Sequence, residues 1–351
     1  MTITAPHPPT REPFNPLKIS PSRVNAYVSC GQAFKMKYID RLPEQRSGSA
    51  ALFGSVVHLA LERWATDRRQ DLVTLMAQAW ADYTKGTPVA QFIERYQAIN
   101  IDVLRAEQAA RESFEKRNKG KESKAPRMTK EFKDSDAAKK LNRLLGEWIP
   151  KLDADSPWRF TERDPLPTLY DESLVAAKRY MLANQHLPAA LYTEFEFNVD
   201  WHGFRLNGHI DEIEPVMDED GELKALLVLD YKTYRDVKAE HKDWRQTCIY
   251  DVAVKTMLAE GRLSLPDVPL HVGVDYFRLN FRRDWLMTEG DHAKLLDELG
   301  MYARGVQNGV FLPAEKNRNP DFCDYPENCC LQTKGDGCGQ RGGLYTDPEG
   351  R

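Results

Sequence analysis

The chain has 351 residues and carries 49 Lys and Arg against 53 Asp and Glu, so its formal net charge of −4 excludes a uniformly basic nucleic-acid coat but not a local basic groove. That length is about two domains' worth of chain, or one core with a large insertion, and it can bury a sizeable core without disulfide staples. No run approaches the roughly 18 apolar residues of a membrane span, mean hydropathy is −0.60, and the N-terminus lacks a basic-then-apolar signal, so a cytoplasmic protein without a membrane partner is expected.

Residues 1–16 hold five prolines and no apolar period, and they read as a disordered leader. Order is expected from Ser20-Pro21-Ser22-Arg23, where a serine can cap a helix, Pro21 suits its first turn, and Val24, Tyr27 and Val28 share a face. A second helix is predicted from about Gly54 to Arg69, with Val57, Leu61 and Trp64 at helical spacing. Residues 17–67 are thus N-terminal helices of a core, and 68–190 form a charged helical insertion. Within it, residues 111–143 carry twelve Lys/Arg against six Asp/Glu, either a solvated helical pair or a guide for a polyanion. After Pro188 the texture changes. Strands are predicted over Tyr192–Trp201, Phe204–Ile213 and Leu223–Tyr231, with a turn at Asp218-Glu219-Asp220-Gly221. A helix over Trp244–Ala259, a strand over His271–Leu279 and a helix over Asp291–Val306 follow, making 191–310 an α/β core of order β-β-β-α-β-α. Residues 311–351 form a Cys-rich tail.

Chemistry concentrates at Leu229-Asp230-Tyr231-Lys232-Thr233, where strand alternation puts Asp230 and Lys232 on one side. A carboxylate there can hold a divalent cation while the ammonium faces developing phosphoryl charge, although a plain salt bridge reads equally well. Asp211, in Asn207-Gly208-His209-Ile210-Asp211, lies about 20 residues upstream, the separation that sets it beside Asp230 in a hairpin. Gly54 to His58 and Glu62 lie on one predicted helix, and Gln246 and Tyr250 form an i, i+4 pair on another. Glu194 and Glu196 share a strand face, either as helpers at the site or as surface charge.

In these segments the sequence resembles the RecB-like branch of the PD-(D/E)xK nucleases, in particular its iron–sulfur members. Those include AddB-type recombination nucleases, CRISPR-adaptation nucleases and phage exonucleases. The resemblance runs through Ser20 to Arg23 with Tyr27 and Cys30, Gly54 to His58, Gly208 to Asp211, Asp230-Tyr231-Lys232-Thr233, Gln246 with Tyr250, and the C-terminal cysteines. It implies a restriction-endonuclease-like core, a central mixed sheet flanked by helices, with a large helical insertion and a cluster-binding tail. It also implies that His58, Asp211, Asp230 and the Tyr231 carbonyl bind Mg2+ or Mn2+, that Lys232 orients the attacking water, and that Gln246 and Tyr250 flank the site against DNA.

Six cysteines in a chain without secretion signals point to metal or catalysis rather than disulfides, and four of them lie within 323–338. The resemblance implies that Cys30 joins three of Cys323, Cys329, Cys330 and Cys338 on a [4Fe–4S] cluster. Their spacing is wider than is common in the family, and four thiolates also suit structural zinc. Cys248, between Gln246 and Tyr250, reads as a packed thiol.

Local basic strips, with Arg23, Arg235 and Arg278 at their centre and Arg282 and Arg283 beside the last, are candidate DNA contacts. Trp244, and Tyr276 with Phe277, are candidates for stacking on unpaired bases or for plain core packing. The leading expectation is a metal-dependent exonuclease on single-stranded DNA ends, in recombination, repair or phage DNA metabolism, with recombination or adaptation proteins as partners. A CRISPR-adaptation nuclease trimming spacer precursors and an inactive DNA-binding scaffold are the rival readings.

Overall fold

The computed structural model describes residues 14–42, 47–117, 135–161, 164–235, 240–313 and Tyr325. A two-residue strand β1 (Lys18–Ile19) leads into helix α1 (Pro21–Ser29), whose N-cap Ser20 accepts from the Arg23 amide at 3.3 Å, with Pro21 in the first turn. Helix α2 (Gly31–Phe34) follows directly, with the Cys30 sulfur accepting from the Ala33 amide at 3.4 Å. A π-helical turn (Lys35–Ile39) and strand β2 (Ser47–Gly48) then lead to α3 (Ser49–Thr66).

The helical part continues as α4 (Leu72–Tyr83), α5 (Pro88–Arg117), α6 (Asp136–Asp155), the short β3 (Trp158–Arg159) paired to β2, and α7 (Leu166–Asn184). Its core forms where the apolar stripe of α3 (Phe53, Val57, Leu61, Trp64) meets Trp80 of α4, Phe92 of α5, Trp148 of α6 and Tyr180 of α7. Tyr231 of the sheet and Phe277, just past a strand end, also enter this core.

Strands β4 (Tyr192–Trp201), β5 (Phe204–Met217), β6 (Leu223–Lys232), β7 (Leu270–Tyr276) and β8 (Phe281–Trp285) complete a six-stranded mixed sheet with β1. The order runs β1-β5-β6-β7-β8, with β4 also paired to β5. The β6–β7 pair is parallel because α8 (Glu240–Ala259) connects the two strands, as a crossover must. Helix α9 (Glu289–Gln307) starts in a capping box of Thr288 and Asp291. With α1 and α8 it covers a second core of Ile19, Val24, Ile210, Ile213, Val228, Ile249, Ala253 and Leu299.

The expected mixed sheet flanked by helices is present. Two features depart from the expected order β-β-β-α-β-α. The segment read as one strand over His271–Leu279 ends at Tyr276, where Phe277–Leu279 makes a 3-10 turn and Asn280 takes a left-handed φ of 49°. The chain then reverses into β8, a half-exposed edge strand whose Arg282, Arg283 and Asp284 hid the apolar alternation that marks a buried strand. No helix among the described residues is long and apolar enough to cross a membrane.

Candidate active site

Alternation on β6 turns Tyr231 into the helical core and leaves Asp230 and Lys232 facing α8. Asp230 is 2% exposed. Its Oδ1 accepts from Gln246 Nε2 and, at 3.2 Å, from the Tyr250 hydroxyl, while Lys232 Nζ lies 2.5 Å from Oδ2. Lys232 also donates to Gln246 Oε1 at 2.9 Å, and Gln246 Nε2 to the Tyr250 oxygen at 2.8 Å. The i, i+4 pair on α8 is therefore a bracket that orients both members of the Asp-x-Lys pair. Burial raises the Asp230 carboxyl above the ordinary range, the Lys232 charge opposes the rise, and Asp211 adds to it. Burial also disfavours the Lys232 ammonium, but Asp230 outweighs it and holds the side chain cationic.

His58 on α3 meets the same strand end from the other side. Its Nε2 lies 3.1 Å from the Tyr231 carbonyl oxygen and its Nδ1 3.5 Å from Asp211 Oδ1. Asp211 Oδ2 in turn accepts from the Tyr231 amide at 2.6 Å. Burial works to lower the basicity of His58, yet the Asp211 charge and hydrogen bond raise it further, to about 9.

Glu194 completes a group in which ligand atoms of His58, Glu194 and Asp211 lie within 4.8 Å of one another. A ladder irregularity brings it there. Register pairs Thr193 with Glu212 and Phe195 with Ile210, so Glu194 and Asp211 fall on the one rung that the ladder skips. Glu194 takes a left-handed φ of 46°, and the core-facing parity changes on both strands at this point: Ile210 and Ile213, an odd separation, enter one core. Burial raises the Glu194 carboxyl and Asp211 adds to it. An imidazole and two carboxylates with a carbonyl oxygen beside them make an oxygen-rich donor set that fits a hard divalent cation.

Gly208 supports this arrangement from behind. A Cβ there would lie 2.9 Å from the ring of Phe197, its partner on β4, and that ring stands edge-on to Tyr250 with centroids 5.9 Å apart.

The structure thus brings together His58, Asp211 and the Tyr231 carbonyl as one group, and Asp230, Lys232, Gln246 and Tyr250 as another beside it. Glu194, left open between site and surface in the sequence, joins the first group; Glu196 is exposed. Of the candidate DNA contacts, Arg23 donates to the Lys18 carbonyl at 3.1 Å and lies over the Phe14 and Tyr38 rings. Trp244 donates to Asp291 at 3.2 Å beneath the Lys294 ammonium. Tyr276 and Phe277 are core residues, as their plain reading held. The arginine strip expected around Arg278 is not free of acids: Arg278 pairs with Glu172, and Arg282 with Asp275 and Glu214. Cys248 is a buried free thiol whose pKa burial pushes up to about 12. Cys30 is a free, partly buried thiol, while Cys323, Cys329, Cys330 and Cys338, and most of the 111–143 basic stretch, lie outside the described residues.

Sequence reading missed a buried ionic layer on the opposite face. Arg68 Nη2 contacts Glu212 and, at 2.8 Å, Glu214; Arg282 bonds Glu214 and, at 2.8 Å, Asp275; the Tyr231 hydroxyl donates to Glu212. The local signal was three acids, Asp211, Glu212 and Glu214, at and just past the end of the strand predicted over Phe204–Ile213, which is too polar for a plain buried one.

Against known families, the model described as the PD-(D/E)XK nuclease superfamily matches residues 18–330. A crystal structure from Eubacterium rectale named "Putative exonuclease" is similar over 92% of this chain and 90% of that chain, with 13% identity and a TM-score of 0.42. No curated protein matches the chain.

Proposed function

The chain belongs to the PD-(D/E)XK nuclease superfamily, and on that premise we propose that it is a divalent-metal-dependent deoxyribonuclease, an exonuclease acting on single-stranded ends. The observation that carries this reading is the buried Asp230–Lys232 pair, bracketed by Gln246 and Tyr250, beside the converging His58, Glu194 and Asp211. An inactive scaffold has no use for so complete a set.

In this reading His58, Asp211, Glu194 and the Tyr231 carbonyl hold the cation, and Asp230 contributes from its own side of the strand end. A bound Mg2+ or Mn2+ supplies positive charge at the scissile phosphate and acidifies water there. Lys232, held cationic by Asp230, is not a base at neutral pH; its ammonium donates to the attacking water and to phosphate oxygens as charge develops. Gln246 keeps that ammonium aimed by accepting one of its protons at 2.9 Å. Tyr250, buried and neutral, fixes the Asp230 oxygen that Lys232 does not use.

The same reading includes an iron–sulfur cluster on Cys30 and three of the C-terminal cysteines. Its support is the return of the C-terminal segment to α1 and α2. The Tyr27 hydroxyl donates to the Val310 carbonyl at 2.7 Å, Phe311 stacks on Phe34, and Tyr325, two residues beyond Cys323, is buried with its hydroxyl 3.5 Å from the Leu42 carbonyl.

The test is digestion of end-labelled single and double strands, and of circular single strands, under Mg2+ or Mn2+ titration. Linear single strands should be degraded and circles spared. Asp230→Ala and Lys232→Ala should each lose about a hundredfold to a thousandfold in rate. If either variant cuts as fast as the parent, the assignment is wrong.

A further inference from the structure

Beside the proposed cleavage site, two arginines from the core converge on one carboxylate from the helical insertion. Arg235 follows Lys232 by three residues, and its Nη2 lies 3.1 Å from Glu172 and 2.9 Å from Asp164. Arg278 lies two residues beyond Tyr276, the register partner of Lys232, and its Nη1 is 3.3 Å from the same Glu172 carboxylate. The Arg278 guanidinium carbon lies over the Phe53 ring, 3.9 Å from its centroid. Phe53 precedes Gly54, where a Cβ would lie 3.8 Å from the Thr233 hydroxyl oxygen, so Arg278 sits against α3 about one turn before His58. Arg179 of α7 closes the group by donating to the Arg278 carbonyl.

Three properties suit this group to a phosphodiester. The two forks converge on a planar anion with two oxygens, a geometry that a phosphate reproduces through its non-bridging oxygens. Arg278 is held by Phe53 and spends a single, long ionic contact on Glu172, while its buried Nε has no hydrogen-bond partner among the described residues. Glu172 and Arg235 are 41% and 37% exposed, and ion pairs that exposed contribute little to stability, so an incoming anion can exchange with the carboxylate at small cost.

We propose that Arg235 and Arg278 form a backbone-phosphate subsite for the DNA strand adjoining the scissile position, and that Glu172, supported by Asp164, occupies it in the DNA-free protein as a stand-in for phosphate. Strand entry then replaces a carboxylate by a phosphate and frees α7 from this lip of the site. The subsite rests on the nuclease reading above for its position beside a cleavage centre. It adds a competing acid that belongs to the chain itself.

Equilibrium binding of a labelled oligothymidylate, longer than the roughly 4–16 nucleotides that a single-strand site covers, tests it in Ca2+ across a salt series. Arg235→Gln with Arg278→Gln should weaken binding about tenfold at moderate salt and lower the log–log salt slope by about 1.4, or 0.7 for each lost phosphate contact. Glu172→Gln should tighten binding several-fold in the parent and have no effect in the double-arginine variant. If Arg278→Gln perturbs the fold, the more exposed Arg235→Gln alone should lower the slope by about 0.7. Unchanged affinity and slope in the arginine variants overturn the subsite. An equal effect of Glu172→Gln in both backgrounds overturns the competition, since it would mark a general field effect. Binding is read here without turnover. A protein that binds in this way but never cuts therefore refutes the nuclease reading, and one that cuts normally with indifferent arginines refutes the subsite alone.

Discussion

His58 faces two acceptors, the Tyr231 carbonyl and the Asp211 carboxylate, and only a doubly protonated imidazole can donate to both. That explains a pKa raised to about 9 despite burial. Cation binding through this ring must therefore displace a proton over the whole range below about 9. Apparent Mn2+ affinity should rise by up to roughly tenfold per pH unit and level off above that value. Calorimetry in buffers of differing ionisation heat should detect the released proton, and His58→Gln should abolish the release; a pH-independent affinity in the parent would remove His58 from the ligand set. Glu194→Gln should weaken the same affinity by about 10- to 100-fold, whereas Glu196→Gln on the exposed face should not. His58, on a distant helix, was placed by the family resemblance rather than by any spacing. Asp230 with Lys232, and Gln246 with Tyr250, were legible because one strand or one helix turns their spacing into proximity, and Asp211 because a hairpin sets it beside Asp230. Glu194 was not, because alternation assumes an unbroken ladder. Its place depends on a left-handed backbone at a skipped rung, which no residue type in Thr193-Glu194-Phe195 announces.

At the level of elements, β5 is the member on which the site depends, and its two faces serve different purposes. One end carries Asp211, while Glu212 and Glu214 run into the buried ionic layer with Arg68 and Arg282. Two guanidiniums there face three carboxyls, Glu212, Glu214 and Asp275, so the layer is neutral only if one carboxyl keeps its proton. Burial and the Glu214 charge single out Glu212, whose pKa is raised even with Arg68 beside it. The Tyr231 hydroxyl donates to Glu212, and the backbone of the same residue meets both His58 and Asp211, so this layer also anchors the peptide at the centre of the site. Arg68→Met should cost about 3–5 kcal/mol in urea unfolding, because it leaves Arg282 as the one guanidinium facing the three buried carboxyls of this layer. A cost under about 1 kcal/mol would show that the layer is not ionised as drawn. Helices α1, α3, α8 and α9 and strands β4 to β7 were legible from periodicity, and the insertion was legible as helical without its individual helices. This layer was not, since Arg68 and Glu212 are 144 residues apart and no local pattern couples them. The edge strand β8 escaped for a related reason: its Arg282 turns inward to that layer, so the central Arg282-Arg283-Asp284 breaks any apolar alternation between Phe281 and Trp285.

Across the whole molecule, two cores meet at the site, and the chain's C-terminal segment returns to the start of one of them. Gly31, immediately after Cys30, is where that return is tightest: a Cβ there would lie 2.8 Å from the Leu312 nitrogen and 3.0 Å from its carbonyl oxygen. Neither backbone can yield without disturbing the Tyr27–Val310 bond and the stacked Phe34 and Phe311 rings. Gly31→Ala should therefore cost about 1–3 kcal/mol by overpacking and speed proteolysis near residue 310, with the distant α4–α7 core protected as before. The iron content of anaerobically purified protein carries the test further. If Cys30 and the C-terminal cysteines share a cluster, Cys30→Ser should lose it, Gly31→Ala should lower its occupancy, and Cys248→Ser should leave it intact. Full iron loading in Cys30→Ser would sever the clasp from the cluster, and zinc in place of iron in the parent would leave the clasp but change its chemistry. Because the clasped segment packs on α1, which shares the second core with α8, a loosened end should also weaken the Gln246–Tyr250 bracket on α8. Cleavage should then fall in Gly31→Ala more than metal affinity does, since His58 sits on α3, whose apolar stripe packs in the other core.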